Sequence, residues 1–63
     1  MKASIFAYEI RVGDIWNGKL VVRVDPPPSN PLEWNYQIWF KDGGITCPPA
    51  MTEMLIERKM EMI

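Results

Sequence analysis

The chain has 63 residues, the length of one small domain, so we treat residues 1–63 as a single domain. Eight acidic and seven basic residues give a formal net charge of -1, and there is no histidine. Hydrophobic residues make up 48% of the chain, which argues against disorder. With Cys47 as the single cysteine, these counts exclude a multidomain enzyme, a polybasic nucleic-acid-binding tail and a disulfide scaffold.

The N-terminal ten residues do not have the pattern of a targeting segment. They contain one lysine, and their short apolar stretch is interrupted by Tyr8 and Glu9. No segment of the chain approaches the roughly 20 apolar residues that span a bilayer. We therefore expect a cytoplasmic protein with no membrane partner and with Cys47 reduced.

The first predicted strand covers residues 7–12, where apolar and charged side chains alternate with the two-residue period of a half-buried strand. A Gly-Asp pair at 13–14 predicts a turn. The apolar pair Ile15–Trp16 then leads into Asn17 and Gly18. Asn-Gly is the dipeptide most typical of a two-residue hairpin turn, because both central positions need a positive φ angle.

The next predicted strand covers residues 19–25, where three valines favour a strand over a helix. Alternation places Leu20, Val22 and Val24 on one face and Val21 and Arg23 on the opposite face. The three prolines at 26–28 end this strand, because proline has no N–H for the ladder. We expect residues 26–32 to form a stiff, polyproline-like loop.

The segment 34–41 is the most strand-like part of the chain. One face carries the apolar side chains of Trp34, Tyr36, Ile38 and Phe40, and the other carries Asn35, Gln37, Trp39 and Lys41. An Asp-Gly-Gly turn at 42–44 and a short strand at 45–47 follow.

The C-terminal segment is ambiguous. Residues 53–58 alternate like a closing strand, apart from Leu55 and Arg58, but Met, Leu, Glu, Arg and Lys are also good helix formers. We favour the strand. A single turn of 3₁₀ or α-helix is expected just before it, over residues 49–52.

Five short strands and several tight turns predict an all-β protein, a small five-stranded barrel with one short helical turn near the C-terminus. Closure into a barrel removes exposed sheet edges. The run Val12-Gly13-Asp14-Ile15-Trp16, the strands at 20–24 and 36–41, the Asp-Gly at 42–43 and the Pro-Ala before the last strand resemble small SH3-like barrels, among them short phage-encoded proteins of unassigned role. The resemblance covers residues 8–58. Because such barrels bind proteins or nucleic acids, it implies a fold more than a function.

The residue types give little support to catalysis. Cys47 has neither a histidine nor a sequence-adjacent cation to activate it, and closely spaced carboxylates such as Glu53 and Glu57 are typical of a solvated face. Asp14, Asp25 and Asp42 fit turn positions, where aspartate bonds the local backbone. We expect no enzyme activity, no metal and no cofactor. The PxxP sequence at 28–31 is interpreted as a rigid connector, with a ligand for an aromatic groove as the alternative.

Trp39 is the most informative residue. If the apolar face of segment 34–41 points inward, Trp39 points outward beside Gln37 and Lys41, and the neighbouring strand adds Val21 and Arg23. These five residues, with an apolar centre and a basic rim, form the predicted binding patch, because Trp is enriched at interface hot spots. The alternative is a second small core, covered by the C-terminal segment or by residues 1–6.

Three functions remain open. The first is a non-enzymatic interaction protein, such as a phage-encoded inhibitor that binds a host protein through its outer aromatic face. The second is an oligomeric protein that sequesters a nucleotide, with an indole stacked on the base and basic side chains at the phosphates. The candidate residues for the second are Trp16, Trp34, Trp39, Arg11, Arg23 and Lys41. Nucleic-acid binding is the third, opposed by the net charge of -1. A homo-oligomer is expected, because self-association covers such a patch.

Overall fold

Residues 2–58, described by a computed structural model, form one antiparallel sheet of six strands and one short 3₁₀ turn. The strands are β1 (Lys2–Phe6), β2 (Ile15–Trp16), β3 (Lys19–Asp25), β4 (Gln37–Phe40), β5 (Ile45–Thr46) and β6 (Glu53–Glu57). Their order across the sheet is β1-β6-β2-β3-β4-β5. The all-β prediction is confirmed, with six strands where five were expected.

The first strand of the structure, β1, ends before the first predicted strand, residues 7–12, begins. β1 pairs antiparallel with β6, and the buried side chains of Ile5 and Met54 lie opposite each other. The predicted strand over residues 7–12 is wrong, because this segment begins with the 3₁₀ turn Ala7–Glu9 and continues as a loop and a turn.

Local hydrogen bonds turn the chain away from a strand at Ala7. The side chain of Ala7 is completely buried, and the N–H of Ile10 donates to its carbonyl oxygen over 3.2 Å. The Glu9 carboxylate accepts from the N–H of Phe6, also at 3.2 Å. Such local bonds compete with a strand ladder. Val12, expected on the apolar face, is consequently exposed.

The predicted hairpin between β2 and β3 is confirmed. Ile15 pairs with Leu20 and Trp16 with Lys19, which leaves Asn17 and Gly18 as the two turn residues. Both have positive φ angles, 51° and 75°, the combination that a type I′ turn requires.

β3 contains a bulge between Val21 and Arg23, and beyond it the alternation of inward and outward side chains is reversed. Val21 lies opposite Phe40, but Arg23 lies opposite Trp39, so two residues of β3 span one step of β4. Val21 is therefore fully buried at 0% exposure, while Arg23 points outward. The placement of Val21 on the outer face is wrong, because a bulge inserts one residue into the alternation.

The segment 34–41 keeps the predicted orientation for three of its four inward residues. Tyr36, Ile38 and Phe40 are buried, as the alternation predicts. Trp34 is 57% exposed, so its predicted inward position is wrong. The chain is still turning at this point, with the N–H of Glu33 donating to the carbonyl oxygen of Asn30, and β4 begins only at Gln37.

The C-terminal segment is a strand, as favoured. Met54 and Ile56 are buried, while Glu53, Leu55 and Glu57 are exposed. β6 pairs with β1 on one side and β2 on the other, so the alternation prevails over the helix-forming composition.

The segment 49–52 is a hydrogen-bonded turn. The N–H of Thr52 donates to the carbonyl oxygen of Pro49 over 3.0 Å, and no helix forms there. The single turn expected over residues 49–52 is thus present as one i→i+3 hydrogen bond, and the 3₁₀ helix of the described residues, Ala7–Glu9, follows β1.

Ala50 joins two parts of the sheet that are distant in strand order. Its N–H donates to the carbonyl oxygen of Trp34 over 3.2 Å, and its own carbonyl accepts from the N–H of Tyr8 at 3.1 Å. Its side chain is buried. The backbone near β4 is thus connected to the end of β1 through one residue. The buried core of the sheet comprises Ile5, Ala7, Ile10, Val21, Ile38, Phe40, Met54 and Ile56.

Candidate functional site

One row of cross-strand neighbours runs over the outward face of β3, β4 and β5. Arg23 lies opposite Trp39, and Trp39 lies opposite Ile45. Side chains in direct register project from the same face of a sheet and contact each other. Because the Arg23 side chain is 64% exposed and Ile45 is 50% exposed, this row presents an apolar strip with a positive charge at one end.

The Arg23 guanidinium is held in place by two contacts. Its central carbon lies 5.4 Å from the centroid of the Trp39 ring, a cation–π distance. Its Nε donates to Oδ1 of Asp25 over 2.9 Å. Neither terminal nitrogen of Arg23 has a hydrogen-bond partner within residues 2–58. The end of the fork therefore faces solvent in a fixed orientation.

Trp39 lies outside the main core and is only partly buried. Its Nε1 atom is covered and has no hydrogen-bond partner in the described part of the chain. An unpaired buried donor is unfavourable by about 1–3 kcal/mol. The indole N–H of Trp39 is therefore an unsatisfied hydrogen-bond donor at the centre of the row.

A groove of about 650 Å³ continues this surface beyond Gln37. The three prolines at 26–28 and Ser29 contribute to its lining, together with the indole of Trp34. Asp25, Asn35 and Gln37 complete the lining, so Asp25 is the one charged residue among them. The segment interpreted as a rigid connector thus lines a concave site, which we call the proline groove.

The outer aromatic face is defined by Arg23, Asp25, Trp34, Gln37, Trp39 and Ile45. Of the predicted patch, the structure brings together Arg23, Gln37 and Trp39, and removes Val21 to the core. Lys41 is exposed one residue beyond β4, where its N–H donates to the carbonyl oxygen of Leu20, and its side chain has no ion pair within residues 2–58.

Sequence reasoning missed three members of this face. Ile45 was assigned to a short strand without an orientation, although its pairing with Trp39 follows once the turn at 42–44 fixes the register. Trp34 was placed in the core. Asp25 was read only as a turn residue. The proximity of the triple proline to Trp34 was the available signal for the groove.

A second charged feature is buried and belongs to the framework. The Asp14 carboxylate is 2% exposed and accepts two hydrogen bonds from Arg58, to Oδ1 from Nε at 2.9 Å and to Oδ2 from Nη2 at 2.7 Å. The N–H of Arg11 also donates to Oδ2, at 2.9 Å. The hydrogen bond from the N–H of Arg11 is the local backbone bond that was predicted for Asp14 at a turn position. The ion pair joins the turn to the end of β6.

These contacts decide the charge state of Asp14. Burial alone raises the pKa of a carboxyl group, because it disfavours the charged form. The hydrogen bonds from Arg58 and Arg11, with the positive charge of both side chains, outweigh burial and hold the pKa of Asp14 below its ordinary value of 3.8. The same pairing raises the pKa of Arg58. Asp14 is therefore a paired anion.

Residues 2–58 contain no cluster of three metal-ligating side chains, and no helix among them has the length and apolar character to cross a membrane. Comparison of the chain with protein-family models, curated proteins and solved structures finds no match.

Proposed function

We propose that this chain is a non-enzymatic interaction protein that binds a partner protein through the outer aromatic face and blocks it. The observation that carries the proposal is the row of Arg23, Trp39 and Ile45, exposed at both ends, beside a groove lined by Trp34. Tryptophan and arginine are the residues most enriched at the energetic centres of protein interfaces.

The rigidity of the face supports binding of a preformed kind. Arg23 is restrained by Trp39 and Asp25, and the proline loop has few backbone conformations to lose. A surface that is already ordered loses little entropy on association, so more of the contact energy remains as affinity.

The chemistry of the described side chains supports a binding role over catalysis. Asp14, the buried carboxylate, is committed to Arg58 and to the N–H of Arg11. Cys47 is exposed, and its sequence neighbours supply neither a histidine nor a cation that would activate the thiol. Apart from the Arg23–Asp25 ion pair, the face offers aromatic, aliphatic and amide groups, which bind rather than transfer protons.

The proposal is tested by affinity capture with matched variants. Trp39→Ala removes the centre of the row, and the control, Leu55→Ala, removes an exposed apolar side chain from β6 on another part of the surface. We expect the native chain and Leu55→Ala to retain one stoichiometric partner from host lysate and Trp39→Ala to lose it. Circular dichroism verifies that both variants are folded. Equal capture by Trp39→Ala contradicts the proposal.

Light scattering at two concentrations identifies whether the partner is a second copy of the chain. An increase in mass with concentration that Ile45→Lys abolishes assigns the face to self-association. A constant monomer mass leaves a different protein as the partner. The two results separate the homo-oligomer expected from the sequence from a hetero-complex.

A further inference from the structure

We infer that the partner contributes an acidic side chain, which binds the free end of Arg23, and a neighbouring apolar or aromatic side chain, which enters the proline groove. This inference rests on the proposed function, since it specifies what kind of protein segment the outer aromatic face binds.

The acidic side chain follows from the geometry of Arg23. With Nε bonded to Asp25 and the central carbon of the guanidinium 5.4 Å from the centroid of the Trp39 ring, the two terminal nitrogens remain as a pair of donors with no partner among residues 2–58. A carboxylate matches this spacing with two parallel hydrogen bonds. Because the guanidinium is already oriented, little side-chain entropy is lost when those bonds form.

Charge favours a carboxylate over a phosphate. Asp25 lies within 2.9 Å of Arg23 and carries a negative charge into the same site. Because Arg23 and Asp25 together have no net charge, a phosphate with about two negative charges leaves the site at about -2, whereas a carboxylate leaves it at about -1. The lining of the groove contains no lysine or arginine that would offset this negative charge. The face therefore fits an acidic peptide segment rather than a nucleotide.

The position of the proline groove determines which type of side chain the partner places beside its acidic residue. Gln37 lines the groove and precedes Trp39 by two residues on the same face of β4. Successive same-face positions of a strand are about 7 Å apart. An extended segment with its carboxylate on Arg23 therefore places the side chain two positions away over the prolines and Trp34. These surfaces are apolar and aromatic, which favours a leucine or phenylalanine there.

The test is a titration of the full ¹⁵N-labelled chain with three synthetic peptides of equal length. All three contain the same leucine and phenylalanine residues, and they carry Glu, Gln or Lys at the same alternating positions. The indole N–H signals, assigned with single Trp→Phe variants, report on each tryptophan separately. Trp16 serves as the internal reference, because it lies in β2 and stacks on Phe40, with ring centroids 5.8 Å apart.

We expect the Glu peptide to shift the Trp34 and Trp39 signals and leave Trp16 unchanged. Arg23→Gln weakens that binding about tenfold, the loss expected for a bidentate charged pair. Lys19→Gln, which removes a cation outside the face, has no such effect. Binding also weakens as salt is raised.

Three results overturn the inference: equal binding of the Gln or Lys peptide, equal shifts produced by ATP, or no shift of Trp34 and Trp39 with any peptide. Failure of the proposed function is distinguished by the captured partner. If Trp39→Ala abolishes capture while Arg23→Gln does not, the face binds a protein whose contact is not acidic.

Discussion

At the scale of single residues, Asp14 shows how a polar group is accommodated inside so small a core. Two hydrogen bonds from Arg58 and one from the N–H of Arg11 supply the partners that water would otherwise provide. Removing the Asp14 carboxylate takes away two hydrogen bonds and the negative charge that balances Arg58.

We therefore expect Asp14→Asn to lower the free energy of unfolding at neutral pH by about 2–4 kcal/mol. Glu57→Gln, an exposed carboxylate on β6, is the control, and its effect should remain within about 0.5 kcal/mol. Urea denaturation followed by circular dichroism measures both. Equal stability of Asp14→Asn and the native chain would show that the ion pair contributes nothing.

The same group gives a pH dependence with a defined sign. The pKa of Asp14 is lower in the folded chain than its ordinary value of 3.8, so the unfolded chain takes up the proton first as pH falls. The stabilising contribution is therefore complete above about pH 5, and it declines between there and the folded pKa. Urea midpoints measured from pH 7 to pH 3 should fall more steeply for the native chain than for Asp14→Asn. Parallel curves for the two proteins contradict this assignment.

Trp34 and Ile38 provide a contrast between exposed and buried apolar groups on one segment. We expect Trp34→Ala to change the stability by less than about 1 kcal/mol, because the indole is 57% exposed. Ile38→Ala should cost about 2–5 kcal/mol, because Ile38 is completely buried. Thermal unfolding measures both. A large loss of stability in Trp34→Ala would place its indole in the core and remove it from the binding surface.

At the scale of the elements, the irregularity of β3 has the largest consequence for the surface. It places Val21 in the core and leaves Val22 exposed. We expect Val21→Thr to destabilise the chain by about 1–3 kcal/mol, because it buries a hydroxyl group. Val22→Thr should have little effect. Chemical denaturation compares the two. The reverse ranking would support the regular alternation over residues 19–25.

The elements divide into those that local pattern specifies and those that it does not. The hairpin at Asn17 was predictable because its turn chemistry is local. The strand over residues 53–57 was predictable because its side chains alternate between a buried and an exposed face. In the sheet, this strand, β6, pairs with β1 and β2. The bulge in β3 depends on the match to β4, a contact distant in sequence. The alternation of apolar and polar residues within 19–25 therefore does not predict the bulge.

The candidate site was predictable to a similar extent. Arg23, Gln37 and Trp39 were found because β4 alternates regularly and its apolar face identifies the interior. The groove was missed because the path of residues 26–34 depends on turns at Asn30 and Glu33, which set Trp34 outside. The alternation of β4 was extended back to residue 34, before the strand begins, and this extension wrongly assigned the indole of Trp34 to the core.

At the scale of the whole molecule, contacts between distant segments connect the two ends of the sheet. β6 pairs with both β1 and β2, Trp16 stacks on Phe40, and Ala50 bonds to Tyr8 and Trp34. No part of the described sheet has a core of its own. We therefore expect a single cooperative unfolding transition. Near-ultraviolet and far-ultraviolet circular dichroism should give the same midpoint, and separate midpoints would indicate that part of the sheet unfolds independently.

The position of Cys47 has a practical consequence. It is exposed, it follows β5 two residues after Ile45, and its carbonyl oxygen accepts a hydrogen bond from Asn35 at 2.9 Å. Because the sequence contains no other thiol, a maleimide dye attaches at this position alone. The label lies at the margin of the aromatic surface without replacing any of its residues. Fluorescence anisotropy of the labelled native chain can therefore follow complex formation directly.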